Sequence, residues 1–335
     1  MTVTIMDVAE RANVSKATVS RVLNDQGGYS EKTKRHVLKA IEELEYNPNA
    51  VARSLTNKKT HTIGIVLPDL ISSLTTNFLN EIEAVAHKAG SSIIVCHTES
   101  KGAKTMKYLK LLHEKRVDGI ILASTILQKE YYDYIEKTKI PIVLLSTDSE
   151  YPVSSVTADD YAAAYMATKY LIQQGHKKVG MISGNKEEWV AGNHLPRVEG
   201  FKTALLDHKL SANEDHVVYG RFSCEDGATG LTKLIGQVPG LTAIFTENDE
   251  IGMGVLSAAY QLGIKVPEDI SVIGMDNVKF CEFLNPPLTS VSLSHSEMAE
   301  KAANLIFEMI ESNKAVKKNY IVSHRVVERQ SVNSL

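Results

Sequence analysis

The spacing of apolar positions changes at residue 61. Before it the period is helical. Val8, Ala9 and Ala12 form one face behind Thr4 and Asp7, which stand at capping-box spacing. Asn13 tolerates the left-handed backbone that ends a helix, and Ser15 can cap the next one. That second helix is predicted over 16–24, with Val19, Val22 and Leu23 facing a core. Gly27 and Gly28 open a loop, and Ser30 caps a third helix whose Val37, Leu38, Ile41 and Leu44 fall at helical spacing. Two helices joined by about three residues, the second short and polar outside, make a helix-turn-helix. Asn47 and Pro48 read as another helix start, with Val51 and Leu55 on one face. At about eight residues this helix is too short to be stable alone and needs a partner to fold against. Lys58, Lys59 and Thr60 read as a linker.

From His61 the apolar runs become near-continuous and rich in β-branched residues. They cover 61–68, 91–98, 117–124 and 140–146, then 177–184, 216–222, 242–249 and 270–276, with 288–294 as a further strand or crossover. Helical patterns lie between them: Phe78, Leu79, Ile82, Val85 and Ala86 share a face, and a long helix covers 295–312. Buried strands alternating with helices predict doubly wound parallel sheets. Because the alternation occurs twice, two lobes are expected, with a cleft lined from the C-terminal strand ends. The fold class is thus an all-α helix-turn-helix domain followed by a two-lobed α/β core. Its boundaries are read as 1–46, a hinge helix and linker over 47–60, and a core over 61–335 that also dimerises. Within the core the lobes are roughly 61–160 plus a C-terminal crossover, and 161–290.

Charge adds a polarity to this picture. The 335 residues carry a formal net charge of −3, but residues 1–60 hold ten Lys/Arg against seven Asp/Glu, leaving 27 against 33 for the rest. A basic end on an acidic body suits an anionic partner at one end only. Cys96, Cys224 and Cys281 are far apart and odd in number, as reduced thiols of a cytosolic protein would be. With no apolar leader core and no run approaching the roughly 20 residues of a bilayer span, a cytoplasmic protein without membrane contact is expected.

The second helix holds out the groups that read DNA. Lys16 can donate to guanine acceptors, Arg21 can do so bidentately, and Ala17 can contact a thymine methyl. Thr18, Ser20 and Asn24 suit phosphate oxygens. In the core, Asn248, Asp249, Asp276, Asn277 and Phe222 fall at predicted strand ends, and Asn193 and Arg197 follow the strand at 177–184. An Arg, carboxylates, amides and an aromatic ring suit a polyol, with charge-assisted bonds to hydroxyls and stacking on the sugar face. For Asp249, at a helix start, N-capping is the stronger expectation. Catalytic signals are weak: Gly252 and Gly254 fall inside a helical pattern, and there is no phosphate-cradling loop, nucleophile elbow or zinc spacing. No enzyme activity, cofactor or metal is expected.

These motifs resemble the lactose-repressor (LacI/GalR) family of bacterial transcription regulators across essentially the whole chain. The carriers are "VTIMDVAERANVSKATVSRVLN", "SEKTKRHVLKAIEELEYNPNAVARSL", "YLIQQGHKKVGMISG", "AIFTENDEIGMGV", "VPEDISVIGMDN" and "PPLTSV". The resemblance implies a core like periplasmic sugar-binding proteins. It implies that Lys16, Ala17 and Arg21 read the operator and that Leu55 inserts into its minor groove. It further implies that Arg197, Asn248 and Asp276 bind effector, with Phe222 stacking and His295 near the pocket. Two departures stand out. After "LPD", Ser73, Leu74 and Thr75 replace an aromatic-containing loop of many sugar-responsive members. Asn304 and Glu308 stand where the family's catabolite regulator uses basic side chains to take its phosphocarrier corepressor.

The expected function is a dimeric repressor on a pseudo-palindromic double-stranded operator, controlled by a small-molecule effector, most naturally a sugar or sugar phosphate. A corepressor-activated regulator is the alternative, and a transport-type sugar receptor is disfavoured by the DNA-reading helix.

Overall fold

The computed structural model describes residues 3–23, 25–46, 59–68, 70, 72–98, 104–184, 195–312 and 317–335. Asn24, the hinge segment with Leu55, and Asn193 lie outside these residues. The chain divides into two compact units, Met1–Thr60 and His61–Leu335.

In the first unit α1 (Ile5–Arg11), α2 (Lys16–Leu23) and α3 (Glu31–Glu43) pack around Val8, Val19, Val22, Val37 and Ala40. Local chemistry sets the breaks. Thr4 and Asp7 form the capping box of α1, and Asn13 turns the chain with φ +51°. Ser15 Oγ accepts from the Thr18 amide at 3.1 Å, and Ser30 likewise caps α3. Leu38 departs from its expected inward face and is 48% exposed, because Val37 and Ala40 supply the buried stripe.

The second unit contains two six-stranded sheets. The first has the order β11-β5-β4-β3-β1-β2, from β1 (Thr62–Leu67), β2 (Ser92–His97), β3 (Gly119–Ala123), β4 (Ile142–Leu145), β5 (Ser154–Ala158) and β11 (Asn319–Val322). The second runs β12-β10-β9-β8-β6-β7, from β6 (Val179–Ser183), β7 (Val217–Tyr219), β8 (Ala243–Thr246), β9 (Ser271–Asp276), β10 (Thr289–Ser292) and β12 (Arg325–Val327). Pairing is parallel throughout except β10 with β12. The central strands are buried on both faces, which is why they read as unbroken apolar runs.

Helices α4 (Ser73–Lys88), α5 (Thr105–Glu114) and α6 (Lys129–Thr138) belong to the first lobe, with Phe78, Ile82 and Ala86 of α4 in its core. Helices α7 (Asp160–Gln173), α8 (Pro196–Asp207), α9 (Cys224–Gln237) and α10 (Asp249–Leu262) belong to the second. α11 (His295–Ser312) follows β10 but packs Met298, Ala302 and Ile306 into the first lobe. The chain therefore crosses between lobes three times, at 158–160, 292–295 and 322–325. The expected glycine pair of α10 is a packing device: a Cβ on Gly254 would lie 1.8 Å from the Cys224 carbonyl oxygen, so α9 and α10 meet backbone to backbone.

Candidate effector site and DNA-reading helix

In doubly wound sheets a ligand crevice opens outside the strand C-termini where the strand order reverses. In the second lobe that point lies between β6 and β8, whose ends are Ser183–Gly184 and Thr246–Glu247. Glu247 is buried there. Its Oε2 accepts from Ser183 Oγ and, at 2.6 Å, from the Gly184 amide. The Phe222 ring lies over Gly184, where a Cβ would come within 2.0 Å of it, so only glycine lets the aromatic close on the strand end.

Arg197, in the first turn of α8, donates from Nε to Asp160 Oδ1 at 2.9 Å and from Nη1 to the Glu247 carbonyl at 2.7 Å. Burial works against its charge, but Asp160, Asp276 and Glu247 more than offset this and raise its pKa. Asp276 closes β9 with φ +105°, followed by Asn277 at φ +56°. This strained pair is braced from several sides. The Asn277 amide donates to Ser290 Oγ at 3.0 Å, Arg329 Nη2 to Asn277 Oδ1 at 2.7 Å, and the Val278 amide to Asp249 Oδ2 at 2.8 Å. Asp276 Oδ1 lies 3.1 Å from His295 Nε2, and the His295 ring sits edge-on to Phe78 at 5.6 Å. Asp276 belongs to the second lobe's sheet and His295 starts the helix packed in the first. At the same divide the Ser73 amide donates to Glu250 Oε1 at 3.3 Å.

Two expectations need correction. The cap of α10 is Asn248, whose Oδ1 accepts from the Ile251 amide at 2.9 Å, while Asp249 is buried and holds Ser290 and Val278. Capping goes to the residue still in extended backbone, and Asp249 is already inside the helix. Asn248 Nδ2 also donates to the Phe222 carbonyl at 3.3 Å, so its amide is engaged at both ends. Phe222 does not end a strand: β7 stops at Tyr219, and Phe222 precedes the α9 cap Ser223 with φ +66°. The sequence reading missed Asp160, Glu247, Ser290 and Arg329. Only Glu247 left a signal, a carboxylate directly after an apolar strand.

In the first unit Lys16, Ala17 and Arg21 are exposed on α2 while Val19 and Val22 are buried. The Thr18 hydroxyl is 2.9 Å from Ser15 Oγ and so already belongs to the cap. Ser20 is half-buried.

A helix-turn-helix unit followed in the chain by a two-lobed core with polar side chains gathered at its strand ends is the build of a ligand-controlled DNA-binding regulator. Residues 4–49 match the bacterial regulatory proteins of the lacI family, and residues 60–330 match the periplasmic binding proteins and sugar binding domain of the LacI family. The chain is 34% identical over 334 residues to the HTH-type transcriptional repressor PurR of Vibrio atlanticus (strain LGP32), covering 99% of each. It is 36% identical over 334 residues to catabolite control protein A of Priestia megaterium, again covering 99% of each. The lac repressor dimer bound to operator and the anti-inducer ONPF superposes with a TM-score of 0.87 at 26% identity, over all of both chains. The chain belongs to the LacI family and is a DNA-binding transcriptional repressor under small-molecule control. Among the described residues no helix is long and apolar enough to cross a membrane.

Proposed function

We propose that the chain is a cytoplasmic homodimer that binds a pseudo-palindromic operator and releases or tightens on it when a carbohydrate binds the core. The carrying observation is the cluster at the strand ends by the β6/β8 reversal, where Arg197, Glu247, Asp276 and His295 converge beside the Phe222 ring. Buried carboxylates and a guanidinium bind hydroxyls by charge-assisted bonds, and the ring offers a face to stack on. The match of residues 60–330 to a sugar-binding domain supports the same ligand class.

Lys16, Ala17 and Arg21 are assigned to base edges, with Thr18, Ser20 and Asn24 on the phosphates and Leu55 wedged at the operator centre. Residues 1–46 would read DNA, 47–60 would couple, and 61–335 would sense ligand and dimerise. Exposed apolar side chains of the second lobe support self-association: Tyr260 and Leu262 at the end of α10, and Phe280 and Phe283 in the short turn at 279–283. Effector binding would bias two arrangements of the lobes, which pivot on the three crossovers and so shift the DNA-competent population.

Helix α11 disfavours a phosphocarrier corepressor. Glu308 pairs with Lys318 at 2.6 Å, Lys301 with Glu297 at 3.5 Å, and Asn304 is exposed, so the cations of this face are matched by carboxylates rather than forming a basic row. One experiment tests the whole reading: operator titration with the full chain, with and without each sugar that raises its melting temperature. Arg21→Ala should lose about 1–3 kcal/mol of discrimination at one base pair. Undiminished discrimination, or sugars that stabilise the chain without changing operator affinity, would overturn it.

A further inference from the structure

We propose that a cavity of the second lobe, between α7 and residues 324–326, is a second small-molecule site that takes a flat aromatic carboxylate and acts on the hinge between the lobes. None of its lining residues belongs to the strand-end cluster, so it stands or falls apart from the carbohydrate reading.

The cavity holds about 550 Å³, inside the range of about 300–1,000 Å³ usual for small-molecule sites. One wall is a ridge of α7. Tyr161, Tyr165, Lys169 and Gln173 follow one another at four-residue steps and so share a face. Met166 and Tyr170 form the adjoining row. The opposite wall is His324 and Val326, which are two residues apart and lie on the same side of the chain as it enters β12.

This lining has two ends of different chemistry. The first is aromatic: three tyrosine rings with the thioether of Met166, which suit the face and edge of a flat ring. The rings are held before any ligand arrives. Tyr165 Oη donates to Asp207 Oδ2 at 3.0 Å. Burial, with the Glu328 carboxylate, raises the Tyr170 pKa, so that hydroxyl keeps its proton. The second end is a set of donors, with the Lys169 ammonium, the Gln173 amide and the His324 imidazole. Lys169 stands one helical turn, about 6 Å, beyond Tyr165. A ring seated among the tyrosines thus brings its carboxylate within reach of the ammonium for a charge-assisted bond.

The place of the cavity gives it a lever. Tyr161 and Ala162 directly follow the crossover at 158–160, and His324 lies in the crossover at 322–325. A ligand between them touches two of the three connections on which the lobes pivot. Asp160, next to Tyr161, holds Arg197 at 2.9 Å, so the first turn of α7 joins this cavity to the strand-end cluster. A ligand that fits one lobe arrangement better than the other shifts operator affinity by that difference.

The test is titration calorimetry of the full chain with three probes. These are 2-naphthoate, 2-naphthamide, which keeps the rings without the charge, and cyclohexanecarboxylate, which keeps the charge without the flat ring. The naphthoate should bind, with each of the others at least about threefold weaker. Lys169→Gln should lower naphthoate affinity about threefold, to the level of the amide. Tyr161→Ala should weaken both ring-bearing probes about fivefold. Lys169 is exposed and Tyr161 is 39% exposed, so both variants should fold, which melting without probe verifies. Operator titration with and without naphthoate should show a change of affinity, with Tyr161→Ala needing about five times more probe to produce it. No naphthoate binding, or parental affinity in both variants, would overturn the site. Equal binding of the amide or of the saturated acid would overturn the ligand class. Variant-sensitive binding that leaves operator affinity unchanged would overturn the action on the hinge.

Discussion

Asp249 lies fully buried at the start of α10, accepting from Ser290 Oγ at 2.6 Å and from the Val278 amide at 2.8 Å. Burial, with the nearby charge of Asp276, pushes its pKa from 3.8 up to about 7 against the pull of those hydrogen bonds. The sign for stability follows. Below pH 3.8 folded and unfolded chains both hold the proton. Between there and about 7 the unfolded chain gives it up and the folded chain does not, so stability falls as pH rises and the loss is complete above about 7. Melting at matched ionic strength should thus run higher near pH 5 than near pH 8 on this group's account, and Asp249→Asn should flatten the difference. An unaltered slope in the variant would show that other groups set it. Arg197 makes the second prediction at this scale. Arg197→Ala leaves Asp160 and the Glu247 carbonyl without their donor and removes the proposed ligand contact, so affinity for the proposed sugar should fall at least tenfold, about 1.4 kcal/mol. Calorimetry at parental affinity would refute the assignment. The positions of Asp276, at a strand end, and Arg197, at the helix start after β6, were legible from the motifs around them. Asp160 and Ser290 were not, since their roles depend on contacts 37 and 41 residues away that no local spacing encodes.

Among elements, the helix-turn-helix was the most legible, because each boundary has its own local chemistry: Thr4 with Asp7, Asn13, Ser15 and Ser30. That makes the caps testable. Ser15→Ala removes the acceptor for the Thr18 amide and the partner of its hydroxyl, and should destabilise the N-terminal unit by about 1 kcal/mol. Guanidinium denaturation of the full chain, followed by a probe in residues 1–46, should show an earlier first transition; coincidence with the parent would mean that water serves the cap as well. Strands β5, β11 and β12 escaped the sequence reading for a shared reason. "SSVTA" is buried largely through small polar side chains, while "NYIV" and "RVV" are edge strands, short and partly exposed. Neither condition yields the continuous apolar run by which a central parallel strand is recognised. The stretch 216–222 was overread, since β7 covers only Val217–Tyr219 and the rest turns toward α9.

For the molecule as a whole, the three crossovers put residues from widely separated parts of the chain into each lobe, and Asp276 and His295 meet across the divide. Such a core can only control DNA usefully if the two reading helices of a dimer are presented together. Linking two sites raises avidity by about 10²–10⁴ over either alone, without any new contact. The exposed Phe280 and Phe283 share one short helical turn, and Tyr260 and Leu262 end α10. If these side chains join the protomers, Phe280→Lys with Phe283→Lys places like charges near each other across the twofold and should yield a monomer. Both side chains are solvent-exposed in the single chain, so the fold should survive, and calorimetric sugar binding should persist because Arg197, Asp276 and His295 all lie within one protomer. Operator affinity should drop by at least a hundredfold while binding to a single half-site changes little. Sedimentation velocity and titration against full and half operators read the two effects separately. A variant that still sediments as a dimer would place the interface elsewhere on the core. A monomer with parental operator affinity would instead show that the two reading helices act independently.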